Sequence, residues 1–101
     1  MSKKEKRVVS PNICAWADDE HNINHIEITL PGVEKDSIYL KMHGDSFFIK
    51  GETEELVYIE SYAICCPVKP TEAKAKYKNG LLKIDVPSKD LMEDAIEVKI
   101  E

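Results

Sequence analysis

The sequence predicts an all-β domain built as a two-sheet antiparallel sandwich, and three observations predict it. Apolar residues recur at every second position in one segment after another, the mark of strands with one buried face. Turn-forming pairs such as Asn79-Gly80 and Gly44-Asp45 fall between those segments, where tight hairpins need them. No long run keeps the three-and-four spacing of an amphipathic helix. Seven short strands with turns at such spacing make two packed sheets.

The elements follow in order. A first strand is expected near 12–17 and a second over 23–30, where Ile26, Ile28 and Leu30 alternate with His25, Glu27 and Thr29. The polar run Asp18-Asp19-Glu20-His21-Asn22 joins them as a loose turn. The third strand, 37–43, alternates Ile38, Leu40 and Met42 with Tyr39, Lys41 and His43. The fourth, 46–51, sets Phe47 and Ile49 against Phe48 and Lys50. The run 56–66, rich in Val, Tyr and Ile, reads as one long strand that stops at Pro67, since proline cannot donate to a ladder. Residues 73–78 are ambiguous, because Ala, Glu and Lys favour a helix and Pro70 could open one. Ala73, Ala75 and Tyr77 nevertheless alternate strictly with lysines, and Asn79-Gly80 follows. A strand paired with a last strand over 81–86 is therefore expected.

The 101 residues fit one domain with a thin core, which disfavours large-cavity enzymes. Asp and Glu number 19 against 14 Lys and Arg, for a net charge of −5. That field opposes a non-specific grip on nucleic acid. The basic run Lys3-Lys4-Glu5-Lys6-Arg7 reads as a solvated tail and receives no site. No apolar stretch approaches the ~20 residues that span a bilayer, so no membrane partner is expected and the expected location is the cytoplasm. Cys14, Cys65 and Cys66 have no C-x-x-C spacing and read as reduced packing residues, with adjacent Cys65 and Cys66 pointing to opposite faces of a strand.

From Ile23 to Pro87 the chain resembles the α-crystallin domain of small heat-shock proteins, an immunoglobulin-like sandwich whose members are ATP-independent chaperones. Three motifs carry the likeness: Leu30-Pro31-Gly32-Val33 with Lys35-Asp36-Ser37-Ile38; Phe47-Phe48-Ile49-Lys50-Gly51-Glu52; and Ala75-Lys76-Tyr77-Lys78-Asn79-Gly80-Leu81-Leu82 running into Val86-Pro87. The last reproduces the family's A-x-x-x-N-G-x-L signature through Ala75, Asn79, Gly80 and Leu82, with Pro87 closing the strand. Its residues identify a fold and contain no group that performs chemistry.

The resemblance divides the chain into a short basic tail at 1–10, an α-crystallin-like domain at 11–87 and an extension at 88–101. It implies that the extension docks as an added strand on a neighbouring subunit, through Ile96 and Val98 or through Val98 and Ile100. The receiving groove would lie between the strands at 37–43 and 73–78, with Ile38, Leu40, Met42, Ala75 and Tyr77 as candidate liners. The alternative is that the extension folds back as an edge strand of its own sandwich. The implied partners are destabilised client proteins and other subunits of this chain or its relatives, in a dimer or small homo-oligomer.

Two departures from the family bear on this. About ten residues precede the first strand, where members usually have an arm of several dozen. Only Thr53-Glu54-Glu55 separates the strands at 46–51 and 56–66, leaving no loop to swap between subunits, so a dimer would use another edge, such as the long strand 56–66. They favour a second class of function, a non-enzymatic adaptor resembling a CS-domain co-chaperone, or a subunit of a mixed small heat-shock oligomer.

Catalysis and cofactors are not expected. His21 and His25 sit four apart near Asp18, Asp19 and Glu20, but four is helix spacing and this region reads as a hairpin, so no metal site is assigned. Cys14 has no local base motif. No phosphate-cradling glycine loop is present. Trp16 reads as a core or edge anchor.

Overall fold

A computed structural model describes residues 5–64, 66–90, 92 and 95–101. It contains two four-stranded sheets. In chain order the strands are β1 (Arg7–Val9), β2 (Asn12–Asp18), β3 (Ile23–Thr29), β4 (Tyr39–Met42), β5 (Ser46–Glu52), β6 (Leu56–Ala63), β7 (Lys74–Lys78) and β8 (Leu81–Pro87). One sheet runs β1-β6-β5-β4 and the other β2-β3-β8-β7. Every pairing is antiparallel except β1 with β6, which is parallel.

The core lies where the predicted alternation meets between the sheets. Ile26, Ile28, Leu82, Ile84 and Val86 come from one inner face and Phe47, Ile49 and Tyr58 from the other. The opposite faces of β3 and β8 carry Glu27, Lys83 and Asp85, as half-buried strands require.

Residues 74–78 form a strand, as the alternation and the turn predicted, whereas Pro70 opens only a 3-10 turn, Pro70–Glu72, and Ala73 donates to its carbonyl instead of joining the strand. Asn79 and Gly80 both take positive φ, 52° and 80°, the pair of values a two-residue hairpin of right-handed twist demands. A Cβ on Gly80 would also stand 3.3 Å from the Pro31 backbone. Gly80→Ala should therefore cost more than about 1 kcal/mol of stability, measured by urea unfolding.

Three expectations need correction. The basic run at the N-terminus is not wholly a solvated tail. Arg7–Val9 adds to β6, pairing Arg7 with Leu56, Val8 with Val57 and Val9 with Tyr58, and Lys6 reaches Glu52 at 3.1 Å. The strand expected over 56–66 ends at Ala63. The Ile64 N–H still bonds the Asp45 carbonyl in the β5–β6 register, but Val68 next donates to the Gly44 carbonyl, so beyond Ile64 the chain leaves that register and wraps the β4–β5 turn. Cys66 thus lies beyond the strand, and Cys65 is outside the described residues. The third strand begins only at Tyr39, because Lys35–Ser37 forms a 3-10 turn and Ile38 donates to the Lys35 carbonyl.

The β5–β6 connection is as tight as its three residues imply. Thr53 N–H bonds the Leu56 carbonyl, and Thr53 Oγ1 accepts from Glu55 and Leu56 N–H. No strand is available there for exchange between subunits.

Candidate functional site

Each sheet ends on one strand that borders the same open side of the sandwich. β4 bonds only β5, and β7 bonds only β8. Between them lies a cleft of about 180 Å³ lined by Lys35, Ile38, Leu40, Ala75, Tyr77 and Leu82. Four of the five candidate groove residues, Ile38, Leu40, Ala75 and Tyr77, come together here. Met42 does not, because it sits at the far end of β4 opposite Phe47 and packs half-buried against the core. Lys35 joins from the 3-10 turn and Leu82 from β8, and strand periodicity alone points to neither as a liner.

Tyr77 shapes the cleft and holds it. Its hydroxyl lies 2.8 Å from the Leu30 carbonyl and 2.6 Å from that of Val33. One phenolic proton is shared between two acceptors, tying the Leu30-Pro31-Gly32-Val33 loop to β7. Burial raises the phenol above its ordinary value of 10.0. Tyr77→Phe leaves both carbonyls without this donor and should cost about 1–3 kcal/mol, measured by urea unfolding. The sign in alkali follows from linkage. Above pH 10 the unfolded chain ionises Tyr77 before the folded chain does, so stability falls as pH rises through the folded pKa. The Phe variant should lose that part of the alkaline fall.

The outer edge of the cleft is basic. Lys74, Lys76 and Lys78 alternate with Ala75 and Tyr77 and are all exposed. The main-chain groups of β7 divide in the same way. Leu30 N–H bonds the Gly80 carbonyl and Ser88 N–H that of Asn22. Even-numbered residues of β3 therefore turn their amides to β8, and through the register Ala75 and Tyr77 turn theirs away from β8 to the open edge. The cleft thus offers an apolar floor, a partly free hydrogen-bonding edge and a row of positive charge.

The C-terminal segment has the reciprocal pattern. Ile96, Val98 and Ile100 are 86%, 80% and 94% exposed, and they alternate with Glu97, Lys99 and Glu101. No residue of 95–101 belongs to a strand, so this segment is not folded back as an edge of its own sandwich.

The signature residues occupy structural positions. Asn79 and Gly80 make the turn, Leu82 is buried, Ala75 borders the cleft, and Pro87 pairs with Ile23 at the strand end.

A second polar constellation sits on the outer face of β2-β3-β8. Asp18 Oδ2 lies 2.8 Å from His21 Nδ1 and 3.8 Å from His25 Nε2, while His25 Nδ1 lies 2.7 Å from Asp85 Oδ1. The Trp16 ring stands 5.4 Å from the His25 ring. The hydrogen bond from His21 holds the Asp18 carboxyl below the usual range. The two histidines therefore meet through Asp18, an arrangement set by strand register and turn, not by helical spacing. Cys14 is exposed on β2 with no histidine opposite it, since its cross-strand partner is Glu27. No helix among the described residues is long and apolar enough to cross a membrane.

Comparison with known proteins gives one consistent result. The Hsp20/alpha crystallin family profile matches residues 15–101. The chain is 30% identical to a probable 15 kDa heat shock protein of Leptospira interrogans, over 99% of this chain and 87% of that one. Heat shock protein 16.0 from Schizosaccharomyces pombe superposes with a TM-score of 0.73 at 17% identity, covering 92% of this chain and 76% of that one. The A102D mutant of hsp14.1 from Sulfolobus gives 0.70 at 19% identity, covering 96% and 86%.

Proposed function

The chain belongs to the Hsp20/alpha crystallin family, and from that premise we propose that it is an ATP-independent chaperone that holds destabilised proteins and limits their aggregation. It acts without a catalytic group or cofactor, in the cytoplasm, where thiols such as Cys14 and Cys66 stay reduced. The observation that carries this reading is the β4–β7 cleft, an apolar groove flanked by an edge with unspent main-chain groups. An extended client segment can add to such an edge and place alternate apolar side chains on Ile38, Leu40, Ala75 and Tyr77. Burying a few aliphatic side chains yields roughly 1.5–3 kcal/mol each, opposed by the cost of ordering the segment. Contacts of that size are weak, broad and reversible, as a holdase needs.

The same cleft is the proposed receptor for the C-terminal segment of a neighbouring subunit. Ile96, Val98 and Ile100 would face the apolar floor, which turns Glu97, Lys99 and Glu101 toward the exposed row Lys74, Lys76 and Lys78, two carboxylates and one lysine against three lysines. That charge match supports docking on β7, and added salt should weaken it. The chaperone reading is tested by light scattering of a heat-stressed client protein, without nucleotide. Scattering should fall as the protein is added in excess, and unchanged scattering rejects the reading.

A further inference from the structure

The opposite side of the sandwich carries a second edge, β2, bonded only to β3. Odd-numbered residues of β3 turn their amides to β2, so Asn12, Cys14, Trp16 and Asp18 are spent there. Ile13, Ala15 and Ala17 turn theirs outward. Edges are ordinarily blunted by charge, proline, shortness or cover. β7 has its lysines, β4 has Lys41 among four residues, and β1 is three residues long. β2 runs for seven residues with no charged side chain before Asp18. It also borders a cleft of about 200 Å³ whose walls include Ala15, Trp16, Ile26, Tyr62 and Ile64. Ala15 and Ala17 are too small to close it.

The geometry points to a second copy of this chain as the occupant, with β2 pairing antiparallel to β2 about a two-fold axis at Ala15. In that register Ala15 exchanges hydrogen bonds with Ala15 of the other copy and Ile13 exchanges them with Ala17, using every outward amide of the three residues. Branched Ile13 meets small Ala17 on the cleft side. On the outer side Cys14 meets Trp16, and the Asn12 amide meets the Asp18 carboxylate, so no like charges are opposed. The other candidate segments fit less well. β1 already lies along β6 over Leu56, Val57 and Tyr58, which leaves only 59–63 of that edge open, and the C-terminal segment would bring Glu97 and Glu101 toward Asp18 and Glu27. The result is two four-stranded sheets joined into one of eight, an isologous interface.

The test is the mass in solution of the full chain carrying Ile96→Ser, Val98→Ser and Ile100→Ser, which silences assembly through the C-terminal segment. Two chains per particle are expected. Adding Ala15→Pro should reduce this to one, because proline deletes an N–H that faces away from β3 and leaves the ladder intact. A single chain before that substitution, or two chains after it, overturns the proposal. Should the proline variant fail to fold, single-cysteine chains decide, with Cys14, Cys65 and Cys66 changed to Ser. Oxidation should link most of the Ala15→Cys chains in pairs and leave Ser61→Cys chains on β6 unlinked, whereas linkage at 61 and not at 15 overturns it.

Discussion

Ile26→Ala should lower the free energy of unfolding by about 2–5 kcal/mol, the range for truncating a buried Ile in a core. Ile26 is 0% exposed and sits on β3, which is paired on both sides, Ile26 standing opposite Ala15 on β2 and Ile84 on β8. A strand held by two ladders cannot shift toward the other sheet to fill the space, so the void persists and adds its own cost to the lost burial. Ile26 also walls the cleft beside β2, and shortening it extends that cleft into the core. For a domain whose total stability is about 5–15 kcal/mol, this is a large share. The urea midpoint should drop at nearly constant slope. Ile100→Ala, at a residue 94% exposed, is the matched control and should leave the midpoint unmoved. A midpoint for Ile26→Ala equal to that control would mean that the sheets do not pack face to face as described.

Side-chain alternation carried most of the fold because it records which face of a strand is buried. At 73–78 it prevailed over helix propensity, since Asn79 and Gly80 occupy the left-handed conformations a tight hairpin needs and Tyr77 is pinned by two carbonyls of a distant loop. Propensity is local, and those bonds are not. β1 escaped for the same reason in reverse. Three residues are too few to show a period, and the parallel partner lies some fifty positions away. The end of β6 was misplaced because Ile64, Cys65 and Cys66 suit a strand in composition, while the bond that draws the chain out of the register, from the Val68 N–H to the Gly44 carbonyl, is made beyond them. At the cleft, alternation put Ile38, Leu40 and Met42 on one face of their strand and Ala75 and Tyr77 on one face of theirs, and only the family resemblance pointed to a groove between them. Alternation could not separate Ile38 and Leu40 from Met42, whose distance from the cleft depends on where β4 stops. Lys35 gave no periodic signal, being on a 3-10 turn.

Val98→Ser should weaken assembly beyond the basic subunit pair by about 10–100-fold in concentration. Val98 belongs to both possible docking pairs, Ile96 with Val98 and Val98 with Ile100, so the loss is the same in either register. Burying one such side chain is worth about 1.5–3 kcal/mol, and each 1.4 kcal/mol is tenfold in affinity. Ile96→Ser and Ile100→Ser then distinguish the registers, because only the one that docks should shift the concentration at which larger particles form, read by light scattering. The monomer should be unaffected by all three, since each residue is at least 80% exposed. Electrostatics supplies an independent check. Glu97 and Glu101 approach the row Lys74, Lys76 and Lys78 in the docked arrangement, so Lys76→Glu should weaken assembly in the same direction and flatten its salt dependence. The β2 pairing contains none of these residues, and a two-chain particle should persist in every variant. If Val98→Ser assembles at the wild-type concentration, the C-terminal segment does not occupy this cleft, whatever the outcome at β2.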